Sequence, residues 1–480
     1  MSDIAPIIVW FRQDLRLADN PALLKAVDQN APVVPLFILE DADAGARAPG
    51  GASRWWLHSA LAALTHDLRA RGSKLILRRG PAQQVLSEII QASGARAVHW
   101  NRCYEPWRIS RDAEIKQQLR DQGIEVNSFN AALLFEPWSV TTGSGTPFKI
   151  YTPFWKAVRD RPIARPEPAP ERISPVNGLV SESLEDWRLR PAQPDWAGGL
   201  RETWQPGEAG AQARLANFLD RELADYGTYR DYPARAGTSR LSPYLHWGEI
   251  GPRQVWHAAQ HRMEQENLGT AGWKFLSEVG WREFCHHLLY HWPDLPEQNW
   301  RRAFDAFPWS TSQEHLKAWQ AGQTGYPIVD AGMRELWHTG WMHNRLRMIV
   351  GSFLVKDLRL HWKEGEAWFW DTLVDADLAN NAAGWQWIAG SGADAAPFFR
   401  IFNPVTQSEK FDPNGDYLRR WLPEIAALPD PYIHRPWHAS EEVRRQAGVV
   451  FGGNYPRPLV DHAQARRAAL EAFQQIKKDQ

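Results

Sequence analysis

The chain has 480 residues, roughly two to four ordinary domains' worth and ample for large buried cores. With 55 Lys and Arg against 56 Asp and Glu its formal net charge is −1, so a nucleic-acid role would need a local basic patch rather than a global field. Cys103 and Cys285 form no C-x-x-C pair and no zinc spacing, and no apolar run reaches the roughly 18 residues of a membrane helix, which points away from disulfide, structural-zinc and membrane proteins. The early run IIVW lacks the basic leader and length of a signal peptide, and the expected location is cytoplasmic. The 27 tryptophans are unusual, because indole brings an N–H that needs a partner when buried and a π-face that can stack on a base or a flat cofactor.

Five short β-rich runs open the chain: IIVWF (7–11), VVPLFIL (33–39), KLILR (74–78), AVHW (97–100) and IEVNSF (124–129). Helical patterns lie between the later ones, among them SRWWLHSALAALTHDLRARG with Ser53 as N-cap and Gly72 as stop. Strands alternating with helices predict parallel pairing and right-handed crossovers, hence a doubly wound α/β domain over residues 1–135. Its first βα turn, FRQDLRLADNPAL, has no glycine, so a dinucleotide bound by a G-x-G-x-x-G turn is not expected there. Residues 136–205, with five prolines inside RPIARPEPAPERISP (161–175), read as a long and mostly irregular connector.

From 206 to 480 the β signal vanishes and an all-helical domain is predicted. Leu215, Phe218, Leu219 and Leu223 form one helical stripe, Pro327 marks a helix start and Gly340 a stop. On the helix predicted over 273–292, Glu278, Trp281, Arg282 and Cys285 fall at i, i+3, i+4 and i+7, a strip too polar for a core. Asn344, Arg347 and Met348 share a face further on, with Arg345 about a quarter-turn away; an amide beside a thioether suits a flat polar ligand, and a solvated basic face fits the same pattern. In GTSRLSPYL (237–245) the hydroxyls of Thr238, Ser239 and Ser242 and nearby backbone N–H groups suit a phosphate, and equally an ordinary capping loop.

These stretches, with TGYPIVDAGMREL, TGWMHNRLRMIVGSFLVKDL, DADLANNAAGWQW and FRIFNPVTQSEKFDPNGDYLRRWLPE, resemble in order and along nearly the whole chain the cryptochrome/photolyase family, closest to its cyclobutane pyrimidine dimer photolyases of the class I or class III-like kind. The resemblance implies FAD in the helical domain and light-dependent DNA repair, in which reduced flavin lends an electron to a flipped-out dimer. On the matching positions it implies FAD contacts from Tyr226, Thr238, Ser239, Arg240, Leu241, Ser242, Arg282, Arg347, Asp375, Asp377 and Asn381. Arg347 would pair with Asp375, and Asn381 would face flavin N5. It further implies an electron relay of Trp309, Trp362 and Trp385, and a lesion pocket of Glu278, Trp281, Asn344, Met348 and Trp387. Small residues at Ala382, Ala383 and Gly384 would let the backbone approach the ring.

For UV-damaged DNA the resemblance points to Arg230, Glu278, Trp281, Asn344, Arg345 and Gln407, in a monomer. A second, light-harvesting chromophore is expected, a folate such as methenyltetrahydrofolate or a deazaflavin; Trp107 and Arg108 stand where the usual folate-clamping pair would be, and SRWWL resembles the plant cryptochromes and a related bacterial photolyase branch. Two other readings stay open. A signalling cryptochrome is disfavoured by Asn381, where plant-type signalling proteins usually have an acid, and a six-four photolyase by His343 lacking a second matching histidine.

Overall fold

The computed structural model describes residues 4–40, 47–395 and 399–478. The chain forms two compact units. The first runs to Ala224 and adds Ser239–Pro293 and Val374–Asp377; the second takes Asp225–Thr238, Asp294–Leu373 and the chain from Leu378 on. The helical stretch read from sequence as one body over 206–480 is therefore shared between them.

In the first unit, β1 (Ile7–Phe11), β2 (Val33–Leu39), β3 (Ile76–Arg79), β4 (Ala97–Asn101) and β5 (Glu125–Phe129) form one parallel sheet in the order β3-β2-β1-β4-β5. Helices α1 (Pro21–Asp28), α2 (Gly51–Ala70), α3 (Ala82–Ser93) and α4 (Pro106–Asp121) connect them. β1 and β2 are buried along their whole length, which is why they read as unbroken apolar runs rather than alternating ones. Ile7 pairs with Val33 on one side and with Ala97 on the other, so the strand order reverses at β1/β4, where a doubly wound sheet ordinarily opens a crevice.

Polar side chains bond one another around the loops that follow β1 and β4. Asp14 accepts from Arg12 N at 2.5 Å and from Asn101 Nδ2 at 2.6 Å, and Asn20 caps α1 by accepting from Leu23 N. The Arg12 guanidinium bonds Asp112 at 2.5 Å, Arg111 joins Asp112 and Glu40, and Arg108 donates to Cys103 Sγ at 3.3 Å. The glycine-free turn thus has polar side chains in the place of a phosphate-cradling backbone.

One local expectation needs correction: α2 begins at Gly51 behind Gly50, with Ser53 buried inside its first turn rather than capping it. The connector is mostly irregular, interrupted by α5 (Tyr151–Val158) and a helical turn at Gly198–Thr203. Both Trp55 and Trp56 are buried; Trp56 packs edge-on against Trp204 and Tyr244 and gives its N–H to Glu249, so these rings pack the core.

The first unit is completed by α6 (Glu208–Arg221), α7 (Ser242–Trp247), α8 (Pro252–Glu266) and α9 (Gly269–His291). In the second unit α10 (Gln313–Gln320), α11 (Pro327–Thr339), α12 (Asn344–Ser352), α13 (Trp362–Thr372), α14 (Leu378–Ala389), α15 (Pro404–Phe411), α16 (Asp416–Trp421), α17 (Glu441–Gln446) and α18 (His462–Lys478) follow in chain order. α11 starts with Pro327 in its first turn and ends at Gly340 with φ 64°, a left-handed stop that glycine adopts at no steric cost. A π-turn over Phe353–Asp357 extends α12.

Candidate functional site

In the first unit α9 carries the candidate residues Glu278, Trp281 and Arg282. Trp281 stacks on Tyr151 with ring centroids 3.7 Å apart and planes 12° from parallel, and Phe284 meets its edge. Arg282 is half-buried and donates to Ala132 O at 2.7 Å and to Leu245 O at 3.5 Å. Its neighbour Glu283 accepts from the backbone N–H groups of Leu134 and Phe135, and burial pushes its carboxyl up to about 7 against the opposing pull of Arg282. Glu278 lies half-buried one turn before Arg282, so the polar strip read from the sequence exists.

Asp375 is buried and Asp377 half-buried, and the latter sits between two imidazoles, 3.5 Å from His286 Nε2 and 3.7 Å from His246 Nδ1. Burial opposes the Asp377 charge, yet His286 and His246 together hold its carboxyl well below the usual range. His286 responds in kind: burial lowers it, Asp377 raises it, and the net direction is up. The serine-rich turn leads into α7, with Arg240 at φ 50°, a left-handed conformation uncommon for a side-chain-bearing residue, and Arg214 bonded to Ser239 O at 2.7 Å. Leu241 is buried and Ser242 exposed at the start of α7.

In the second unit Asn381 is buried on α14. Its Nδ2 donates to Glu366 O at 3.0 Å and to Glu366 Oε1 at 3.3 Å. A carbonyl and a carboxylate only accept, so this pair of bonds sets which way the amide points and leaves Asn381 Oδ1 as the acceptor end. A Cβ at Gly384 would meet no protein atom within 4 Å, so there the small residue leaves open space beside the helix. Between the two predicted tryptophans, buried Gln386 accepts from Trp300 N and donates to Leu295 O and Gln298 O, which pins the rotation of α14.

Trp385 packs edge-on against Phe369 at 5.0 Å and Trp319 at 6.2 Å. Gly365 makes room for it, because a Cβ there would lie 2.1 Å from the indole. Trp362 is fully buried, donates to Asn299 Oδ1 at 2.8 Å, and is joined to half-buried Trp309 through His361, whose ring is 5.4 Å from one and 5.0 Å from the other. The structure therefore brings Trp309 and Trp362 together through an imidazole and surrounds Trp385 with other rings. Trp387 is half-buried and donates to Asp394 O.

Asn344 is exposed at the start of α12, where His343 caps the helix by accepting from Arg345 N. The Arg345 guanidinium meets Asp231 at 2.8 Å, Met348 Sδ at 3.8 Å, and the ring of Phe411 at 4.3 Å. Phe411 is one helical turn beyond Gln407 on α15, so Gln407 shares the face that Arg345 covers. Arg347 donates to Met342 O, and Arg230 lies over the ring of buried Tyr226 at 5.2 Å. Sequence reasoning missed Tyr151, Glu366, His246, His286 and Asp231. Each acts on a predicted residue across a chain separation with no local pattern; only the His286 position, four residues after Arg282 on one helix face, carried a signal that helical spacing alone would have shown.

Residues 7–172 match the family model described as DNA photolyase, and residues 275–475 match the FAD binding domain of DNA photolyase. The chain is 50% identical to a deoxyribodipyrimidine photo-lyase of Agrobacterium fabrum, covering 99% of this chain and 98% of that one, and 41% identical to Cryptochrome-1 of Arabidopsis thaliana over 98% of this chain and 70% of that one. Its fold matches a crystal structure of a class III photolyase from Agrobacterium tumefaciens with a TM-score of 0.97 and 49% identity, covering 100% of this chain and 99% of the other. The chain belongs to the cryptochrome/photolyase family.

The Asp377 cluster yields a pH test. A histidine raised by its partner contributes stability that is fully present below the ordinary imidazole value of 6.5 and is lost as pH rises through the higher folded value. The His286 resonance, followed by NMR in selectively labelled protein, titrates above 6.5. Asp377→Asn removes the charge that raises the ring, so its midpoint falls relative to wild type. A midpoint unmoved by Asp377→Asn contradicts the coupling.

Proposed function

We propose that this protein is a light-driven deoxyribodipyrimidine photo-lyase that splits cyclobutane pyrimidine dimers in UV-damaged DNA. The observation that carries the choice of repair over signalling is the buried amide of Asn381. Its N–H₂ end is committed to Glu366, which leaves a neutral acceptor facing the other way. A neutral acceptor stabilises a protonated ring nitrogen without adding a fixed negative charge.

FAD, when bound and reduced, supplies the light-excited electron donor. The groups set aside to hold it are Tyr226, the turn Thr238, Ser239, Arg240, Leu241 and Ser242, Arg282, Arg347, Asp375, Asp377 and Asn381, with Arg347 assigned to Asp375. The donor set suits such a molecule: hydroxyls and a helix start for phosphate, buried carboxylates for sugar hydroxyls, an oriented amide for a ring edge. Trp309, Trp362 and Trp385 are assigned to carrying electrons inward. Trp281 and Trp387 wall the lesion, Glu278 and Asn344 bond its polar edges, and Met348 packs beneath it. A dimer is already poorly stacked, so flipping it out costs less than flipping an intact pair, and part of the selectivity follows from that.

DNA affinity comes from Arg230, Arg345 and Gln407 acting on the damaged strand, and the enzyme works as a monomer. Near-neutral overall charge makes these local contacts decisive. A second chromophore, folate or deazaflavin, belongs to the same proposal.

Two experiments test the reading. An oligonucleotide carrying one cyclobutane dimer, incubated with the FAD-loaded, chemically reduced protein, loses the dimer under blue light and keeps it in the dark; persistence of the dimer under light overturns the assignment. Arg345→Ala weakens binding to that oligonucleotide and reduces the slope of log affinity against log salt by about one. Asp231 partly neutralises Arg345, so Asp231→Asn strengthens binding and steepens the same slope. Unchanged affinity in both variants removes Arg345 from the DNA surface.

A further inference from the structure

Tyr151 sits outside the strip of predicted site residues, yet it makes the tightest ring contact to any of them. Its ring covers one face of Trp281 at 3.7 Å and 12°, and its hydroxyl donates to Ser277 O at 2.6 Å and exchanges a bond with Ser277 Oγ at 2.7 Å. Ser277 stands four residues before Trp281 on α9, so Tyr151 lies along one helical turn, fixed at one end by its hydroxyl and flat against the indole at the other. Trp155 continues the stack behind it at 6.3 Å and 13°.

The helix itself is built for this approach. A Cβ at Gly280 would fall 2.5 Å from Trp155 Cε3 and 2.9 Å from the Tyr151 hydroxyl oxygen. A mid-helix glycine is less favourable than alanine, and here the missing methyl is what lets the two rings reach the helix surface. Tyr151 takes one face of this half-buried indole and Phe284 meets an edge, so two sides of the ring are fixed by packing within this unit.

We propose that Tyr151 is a positioning residue that clamps Trp281, presenting a single rigid indole face to the pyrimidine dimer and so sharpening the discrimination of damaged from intact DNA. The inference rests on the reading of Trp281 as a wall of the lesion pocket. An aromatic side chain immobilised before binding spares the complex the entropy of ordering it, on the order of 0.5–1.5 kcal/mol, which converts to roughly two- to tenfold in affinity. Tyr151 touches neither the lesion nor the reacting atoms, so its removal acts on affinity rather than on the splitting step.

The test compares Tyr151→Leu, Tyr151→Phe and Trp281→Ala in the FAD-loaded protein. Kd is measured for a dimer-containing oligonucleotide and for its undamaged counterpart, with FAD content and dimers split per absorbed photon at saturating DNA. Tyr151→Leu is expected to raise the Kd for dimer DNA roughly two- to tenfold while leaving the other three quantities unchanged, and Tyr151→Phe, which keeps the stacked ring, to restore most of the affinity. If Trp281→Ala raises that Kd and Tyr151→Leu does not, the clamp is wrong and the pocket reading stands. If Trp281→Ala leaves it unchanged, the pocket reading fails and the clamp falls with it. Should Tyr151→Leu lose FAD or fold poorly, Tyr151→Phe decides: an equal loss of affinity for both DNAs in that variant marks a merely structural tyrosine and overturns the clamp.

Discussion

A buried amide has four hydrogen-bonding positions and no freedom to leave them unused. On α14 the two donors of Asn381 end on Glu366, a residue of α13 that is itself buried, and this commitment decides which end of the amide is available to anything else. Two further residues of the second unit fix the placement of that helix. Gln386 pins its rotation through three backbone groups, and Gly365 gives up a side chain so that Trp385 can lie against α13. A polar group this constrained amid such dense aromatic packing is a poor way to build a core and a good way to orient a ligand.

In the first unit a different device does comparable work. Asp377 is a carboxylate held between two imidazoles, and α9 supplies one of those imidazoles as well as Trp281 and Arg282. One helix thereby carries a charge cluster on one stretch and a stacked aromatic wall a turn away. The sheet, by contrast, gathers ion pairs of Arg12 and Arg111 with Asp112 and of Arg111 with Glu40 near its switch point, where such sheets ordinarily hold a nucleotide.

Much of this was legible in the sequence. β1 and β2 were readable because parallel strands buried on both faces become unbroken apolar runs, and Pro327 and Gly340 marked the ends of α11 by their backbone preferences alone. The division into units was not, because whether Ser239–Pro293 packs with the sheet or with the later helices is decided by tertiary contacts that leave no periodic trace. Site residues followed the same rule. Glu278, Trp281 and Arg282 could be grouped by helical spacing, whereas Asp231 meets Arg345 and Tyr151 meets Trp281 across more than a hundred residues of chain. Most of the remaining site residues were reached through family resemblance and not through any pattern of their own.

The reduction potential of the bound flavin is the most direct measure of the central claim, that a neutral, oriented amide at position 381 favours the reduced cofactor. Spectroelectrochemical titration of FAD-loaded wild type and Asn381→Asp reads it without reference to DNA. The account predicts a more negative potential in the aspartate variant, because a fixed anion beside the ring opposes the added electrons. Equal potentials in two proteins that retain FAD equally well would contradict it.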